Sequence, residues 1–315
     1  MLTTPERHLI EKPGLTTTVP REYVHRAALS EVFLTGWEKS GSDAFTISAQ
    51  WPRSHSFYTP GHDMHDPMLL CETIRQCGML LSHTEYDLPL GYQICWSRLQ
   101  YTLNPHAMRV GTKPAELILH VTCSDIRTVR SVPTSMVMHI EAVRDGSLLA
   151  VASIGFNNYS PAVYERLRAG RTDAARISES APMPPDPVSL GVAGRQRRRD
   201  IVLSPTQERW RWQLRVDTAH PVLFDHPLDH TPGMLLLEAI RQAGHALKPS
   251  WGALMPTSMD VSFNRYVEFD APCWIEAERV PPDSGGARRS VRVNGLQGGT
   301  FAFTATTEMT DMASV

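Results

Sequence analysis

No apolar stretch in the chain approaches the ~20 residues that a helix needs to cross a bilayer, so no membrane-spanning helix is expected. The first residues, MLTTPERHLIEKPG, contain acids and no apolar core segment, so they do not read as a secretory signal. Both absences point to the cytoplasm. Net charge is nearly absent as well, at -2 over 315 residues. That balance gives nucleic acids and acidic membrane surfaces no bulk attraction. Cysteine is scarce: Cys71, Cys77, Cys95, Cys123 and Cys273 are odd in number and form no Cys-x-x-Cys pair. A disulfide framework or zinc knuckle is therefore not expected, and buried free thiols are. Histidine, by contrast, occurs thirteen times.

The length suits two domains. Residues 1–20 read as a loose arm. Residues 21–170 and 200–315 read as the two domains. Residues 171–199 have the Pro-, Ser- and Ala-rich composition of a linker. The basic run Arg195, Arg197, Arg198 and Arg199 at its end reads as a solvated linker terminus rather than a nucleic-acid patch. The halves repeat. RSHSFYTPGHDMHDPMLLCETIRQCG in the first aligns with TAHPVLFDHPLDHTPGMLLLEAIRQAG in the second. His55 and His65 match His220 and His230, each pair ten residues apart. Pro67 matches Pro232, Gly233 is one extra residue, and Glu72, Arg75 and Gln76 then match Glu238, Arg241 and Gln242. This is a duplication.

Each His-x-Pro places a proline where a first helical turn tolerates it. Met68–His83 and Met234–Leu247 are apolar almost all round apart from the Glu, Arg and Gln, which marks buried helices. Strand-like runs follow at Ala115–Cys123, Ser135–Val143 and Leu148–Phe156, and at Cys273–Val280, Arg289–Val293 and Thr300–Thr307. A long central helix wrapped by an antiparallel sheet is the hotdog plan. The expected fold is thus α+β, a tandem double hotdog. Its copies pack as an intrachain pseudo-dimer, which is compatible with a monomer or a homodimer.

The helix face Glu-x-x-Arg-Gln has two readings. Glu and Arg three apart share a face, and burying them costs several kcal/mol unless they are paired. They either close a pair within each helix or serve chemistry. The cluster His62, His65, His226 and His230 with Asp63, Asp66, Asp225 and Asp229 has the residue types of a metal site. Its spacing varies between copies, so no metal is expected. The histidines instead stabilise turns, or His65 and His230 touch substrate. His55 and His220 read as structural. Cys71 reads as a core thiol, since its counterpart is Leu237. His25 receives no role.

HTPGMLLLEAIRQAG resembles the Pro-Gly-x-Leu-x-x-Glu-Ala-x-x-Gln helix of hotdog acyl carrier protein dehydratases. Paired with HDPMLLCETIRQ, with VHRAALSEVFLTGW at the front and FNRYVEFDAPCWIEA near the end, it resembles the AfsA family of A-factor-type γ-butyrolactone synthases from about Tyr23 to Thr307. The resemblance implies an acyltransferase without cofactor. It would join a β-ketoacyl group from an acyl carrier protein to dihydroxyacetone phosphate, the first committed step toward γ-butyrolactone, butenolide or furan signals. It also implies a catalytic pair, Glu72 from the first copy and Arg241 from the second. On this view Glu72 is a general base with a raised pKa, and Arg241 clamps phosphate or stabilises transition-state charge. The helix N-terminus and Gly233 serve the oxyanion. Arg75, Gln76, His65, His230, Glu238 and Gln242 complete the binding set. A dehydratase would carry histidine fourteen residues before each Glu, where Tyr58 and Phe224 stand instead. The alternatives are a hotdog thioesterase or dehydratase, or a non-enzymatic butyrolactone sensor. A DNA-binding sensor would need a helix-turn-helix and a basic face, and neither is found.

Overall fold

The computed structural model describes residues 17–247, 254–281 and 289–311. Most of the expected N-terminal arm lies outside them. The first unit runs β1 (Leu34–Lys39), β2 (Ala44–Trp51), α1 (Pro67–Thr84), β3 (Gln93–Leu103), β4 (Ala115–Val129), β5 (Val132–Arg144) and β6 (Ser147–Tyr159). The second repeats it with β7 (Leu203–Pro205), β8 (Arg211–Leu214), α5 (Gly233–Ala246), β9 (Leu254–Phe263), β10 (Cys273–Arg279), β11 (Arg289–Gln297) and β12 (Thr300–Asp311). Burial alternates strictly along β2 and along most of β4, as period-two side chains on a half-buried sheet require.

The strands form one twelve-stranded sheet in the order β1-β2-β4-β5-β6-β3-β9-β12-β11-β10-β8-β7. Its two halves have the same topology read from opposite edges. They meet where β3 pairs antiparallel with β9, from Arg98↔Ser262 to Thr102↔Ser258. Arg98 braces this seam with a bidentate contact to Asp260 at 3.0 and 2.7 Å. The edge that a lone hotdog sheet would expose is thus covered within the chain. Helices α1 and α5 lie on the sheet and touch each other, which brings the matching faces of both copies to one central region.

The helix starts differ. Asp66 caps α1, its carboxylate accepting from Met68 N–H at 2.9 Å. In α5 Thr231 takes Asp66's place, and no side chain caps the helix. The segment expected to be a plain linker carries two short helices, α3 (Ala174–Glu179) and α4 (Leu190–Ala193), after α2 (Pro161–Leu167). It is tied to the second unit by Ser178, whose hydroxyl donates to Leu228 O at 2.8 Å and accepts from Leu228 N at 3.0 Å.

Candidate functional site

Each copy builds the same polar knot around its helix glutamate. Glu72 is fully buried and accepts from Arg75 Nε at 2.9 Å, Arg75 Nη2 at 2.8 Å, Arg26 Nε at 3.0 Å and Gln76 Nε2 at 2.7 Å. Arg26 Nη2 adds a contact of 2.5 Å. Glu238 repeats this with Arg241 Nε at 2.9 Å, Arg241 Nη2 at 2.7 Å, Arg195 Nε at 2.8 Å and Gln242 Nε2 at 2.5 Å. The Glu–Arg pair therefore closes within each helix. Each glutamate also takes a second arginine from far upstream in its own copy.

This geometry corrects two expectations. Glu72 and Arg241 form no ion pair with each other among the described residues, and Arg241 is committed to Glu238. Nor is Glu72 a base with a raised pKa. Burial pushes its carboxyl up, but Arg26 and Arg75 outweigh burial and hold it at about 2. Its lone pairs are filled by donors, and it lines neither of the cavities beside the paired helices. Arg195 is likewise not a solvated linker end. It is buried against Glu238, donates to Asp66 at 3.1 Å and stacks on the Phe57 ring, whereas Arg198 and Arg199 are exposed as expected.

Gln76 and Gln242 are structural straps. Gln76 accepts from Phe33 N at 2.9 Å and donates to Glu31 O at 2.7 Å, and Gln242 does the same to Val202 N and Asp200 O at 3.0 and 2.8 Å. His55 and His220 are structural as expected. Each Nδ1 accepts two backbone N–H groups, and each Nε2 faces an acid, Glu31 at 3.3 Å or Asp200 at 3.2 Å. Cys71 is wholly buried, and burial pushes its thiol well up. Among the described residues no group of three ligand side chains converges on a possible metal position.

Two of the cavities among the described residues flank the paired helices. The larger, about 340 Å³, lies between the start of α5 and the Arg75 face of α1. The smaller, about 190 Å³, lies between the start of α1 and Arg241. They are pseudo-symmetric but no longer alike. In the larger, α5 is open: the N–H groups of Gly233 and Met234 have no acceptor among the described residues. Thr231, also at the wall, is buried with its hydroxyl unpartnered. Arg75 spends Nε and Nη2 on Glu72 and Val24 O, which leaves Nη1 unengaged. His230 lines the same wall, its Nδ1 2.6 Å from Asp229 Oδ1. Tyr164 and Arg168 hold Asp229 in turn, the first through its carboxylate at 2.8 Å and the second through its backbone carbonyl at 2.9 Å. Gly233 is also required by packing. A Cβ there would fall 2.9 Å from the Trp96 ring, so the indole takes the space a side chain would need.

In the smaller cavity the helix start is filled by the Asp66 carboxylate, which Arg195 holds. His65 stands there with neither ring nitrogen partnered. Burial, and then Arg144, lowers its pKa to about 4. Burial first, and then Arg75, His83 and His226, lowers His25 to about 3. Both are neutral in the fold but take a proton near pH 6.5 when unfolded. Their stability contribution is therefore complete above about pH 6.5 and is lost as pH falls toward 4 and 3, at about 1.4 kcal/mol per pH unit for each. The two helix glutamates act lower, between the ordinary 4.5 and about 2. Urea midpoints should fall between pH 7 and pH 5, before any carboxylate in the knots protonates, and His65→Phe should flatten that slope. Constant midpoints would mean that these imidazoles are not held neutral.

The upstream arginines also lie in a sequence pattern that both copies repeat. HRAALSEVFL around Arg26 and GRQRRRDIVL around Arg195 share an arginine five residues before an acid, followed by an aliphatic residue and a leucine at the same offsets.

The model of the AfsA family, described as the A-factor biosynthesis hotdog domain, matches residues 9–158 and 178–312. A protein of Streptomyces virginiae named 2-oxo-3-(phosphooxy)propyl 3-oxoalkanoate synthase is 46% identical over 289 residues, covering 92% of this chain and 96% of its own length. One of the same name from Streptomyces coelicolor is 39% identical, covering 91% and 90%. Among solved structures, a putative oleoyl thioesterase from Lactobacillus plantarum superposes with a TM-score of 0.52 at 12% identity, covering 87% of this chain and 99% of that one. At that identity the likeness shows the fold alone, a tandem hotdog chain.

Proposed function

The chain belongs to the AfsA family of A-factor biosynthesis hotdog proteins, and from that premise we propose that it is a 2-oxo-3-(phosphooxy)propyl 3-oxoalkanoate synthase working in the larger cavity. The reaction moves a 3-oxoacyl group from a carrier-protein thioester to the free hydroxyl of dihydroxyacetone phosphate. One observation carries the siting: an uncapped helix start, an arginine edge and a carboxylate-held imidazole face a single chamber.

The chemistry follows from those groups. The Nη1 edge of Arg75 takes the phosphate, and the knot behind it has two guanidiniums against one carboxylate, a net positive charge. The open N–H groups of Gly233 and Met234, with the Thr231 hydroxyl, face the thioester oxygen as it becomes an oxyanion. His230 supplies the proton that the departing sulfur needs, and Asp229, 2.6 Å from Nδ1, orients the ring. The acyl chain lies toward Met79, Ile94, Leu236 and Phe263 on the apolar side of the chamber. Glu72 acts one step back, by fixing Arg75. The pair taken from the resemblance becomes two half-roles of a different kind: Glu72 a clamp, and Arg241 the equivalent of Arg75 in the smaller cavity. Both hotdog units are present in one chain, so a monomer suffices. No described helix is long and apolar enough to cross a membrane, and we place the reaction in the cytoplasm with the carrier protein.

The test is product analysis. The protein is mixed with a 3-oxoacyl carrier-protein thioester, with and without dihydroxyacetone phosphate. Thiol release that depends on the acceptor, with one ester formed per thiol, supports the assignment. Equal release without acceptor would make the chain a thioesterase. No release at all would leave a binding protein.

A further inference from the structure

His25 sits in left-handed backbone, φ 51 and ψ 54. The matching residue before the upstream arginine of the second copy is Gly194, in the same conformation at φ 63 and ψ 33. Glycine adopts that conformation freely, while a histidine is strained in it. The first copy keeps the strain, and the side chain it gains points to use. Gly194 has no such option, because a Cβ there would meet the His245 ring at 2.8 Å. The first copy has Met79 in the place of His245, and His25 lines the chamber beside it.

The hydrogen bonds fix which nitrogen of His25 is bare. His83 Nδ1 lies 2.7 Å from Leu88 O. A carbonyl only accepts, so that nitrogen carries the proton. Burial holds both imidazoles neutral, so His83 Nε2 carries none. His25 Nε2 lies 2.8 Å from His83 Nε2 and must donate to it. Nδ1 of His25 is then an unprotonated lone pair.

From this geometry, and resting on the function proposed above, we propose that His25 is the general base of the transfer, receiving the acceptor hydroxyl's proton on Nδ1, with His83 as the residue that fixes its tautomer. The hydroxyl O–H bond breaks as its oxygen bonds to the thioester carbon, and the proton goes to His25. The C–S bond then breaks, and its electron pair leaves with sulfur, which takes a proton from His230. His25 afterwards returns its proton to solvent, and His230 regains one. Two imidazoles in opposed environments divide the base and acid roles. Arg75, His83 and His226 face His25, Asp225 lines the same chamber while bound to the Ala27 and Ala28 N–H groups, and Asp229 adjoins His230. Phosphate bound to Arg75 offsets one of the charges that oppose protonation of His25, so the imidazole gains basicity once the acceptor is in place.

The decisive variant is His25→Gly, which copies the second unit. It relieves the backbone strain and should remain folded, yet ester formation should fall at least a hundredfold. His83→Leu, which frees the tautomer, should fall about tenfold. Nitrogen-15 NMR of the full chain should show His25 with Nδ1 bare and Nε2 protonated, and adding dihydroxyacetone phosphate should move the Nδ1 signal. Undiminished turnover in folded His25→Gly, or a protonated Nδ1, overturns the proposal while the synthase reading stands. If the parent forms no ester, the synthase reading falls. The Nδ1 response to dihydroxyacetone phosphate still decides whether the acceptor hydroxyl meets His25.

Discussion

Arg75→Met will lower kcat/KM for dihydroxyacetone phosphate by about two to three orders of magnitude, while Arg241→Met will change it by less than tenfold per folded molecule. The size follows from truncating a buried, hydrogen-bonded charge partner, which costs about 2–5 kcal/mol, at 1.4 kcal/mol per factor of ten. The comparison is fair because the two arginines are pseudo-symmetric. Each leaves its glutamate with a second arginine, Arg26 or Arg195, so neither variant strands a buried carboxylate. What differs is the chamber each one faces. Arg75 shares its cavity with the open start of α5 and with His230, while Arg241 shares a smaller one whose helix start is filled by Asp66. The phosphate provides a second check. The parent should prefer dihydroxyacetone phosphate strongly over dihydroxyacetone, and Arg75→Met should erase most of that preference by slowing the phosphorylated acceptor alone. If Arg241→Met were the more damaging of the two, the reaction would belong in the smaller cavity.

The duplicated helix was legible because its apolar period and its Glu-x-x-Arg-Gln face survive in both copies within one short window. The later strands were legible for the same local reason. The arrangement of charge was not. Which arginine a buried glutamate chooses depends on chain segments that return from far upstream: Arg26 lies 46 residues before Glu72, and Arg195 lies 43 before Glu238. Composition around Arg195 argued for solvent, since three further arginines follow within four positions. Only the fold shows that one of the four turns inward. The resemblance carried the family and the reaction but drew Glu72 and Arg241 into one site. The geometry separates them because each helix closes its own pair. The sequence also left His25 without a role. Its meaning rests on a backbone angle and on two contacts to α1 and the loop after it, and no local pattern encodes these.

Glu72→Gln will remove about 3–5 kcal/mol of stability, the cost of leaving buried guanidiniums without their counter-charge. The loss should appear as a lower urea midpoint with an unchanged denaturant slope. Pairing it with Arg26→Met should return part of that stability, because the double variant strands one fewer cation and the two positions are coupled. Activity then separates a clamp from a base. A general base replaced by an amide abolishes turnover even in molecules that remain folded, and it deletes the acid limb of the pH–rate profile. A clamp behaves differently. The substituted amide could still accept from Arg75 through its oxygen, though more weakly, so folded Glu72→Gln should keep about a tenth of parent turnover, with a higher KM for the phosphorylated acceptor. The profile should keep its shape, since the carboxyl is already held at about 2 and titrates below any working pH. Complete loss in demonstrably folded protein would restore Glu72 to the chemistry and remove the argument that its filled lone pairs exclude it.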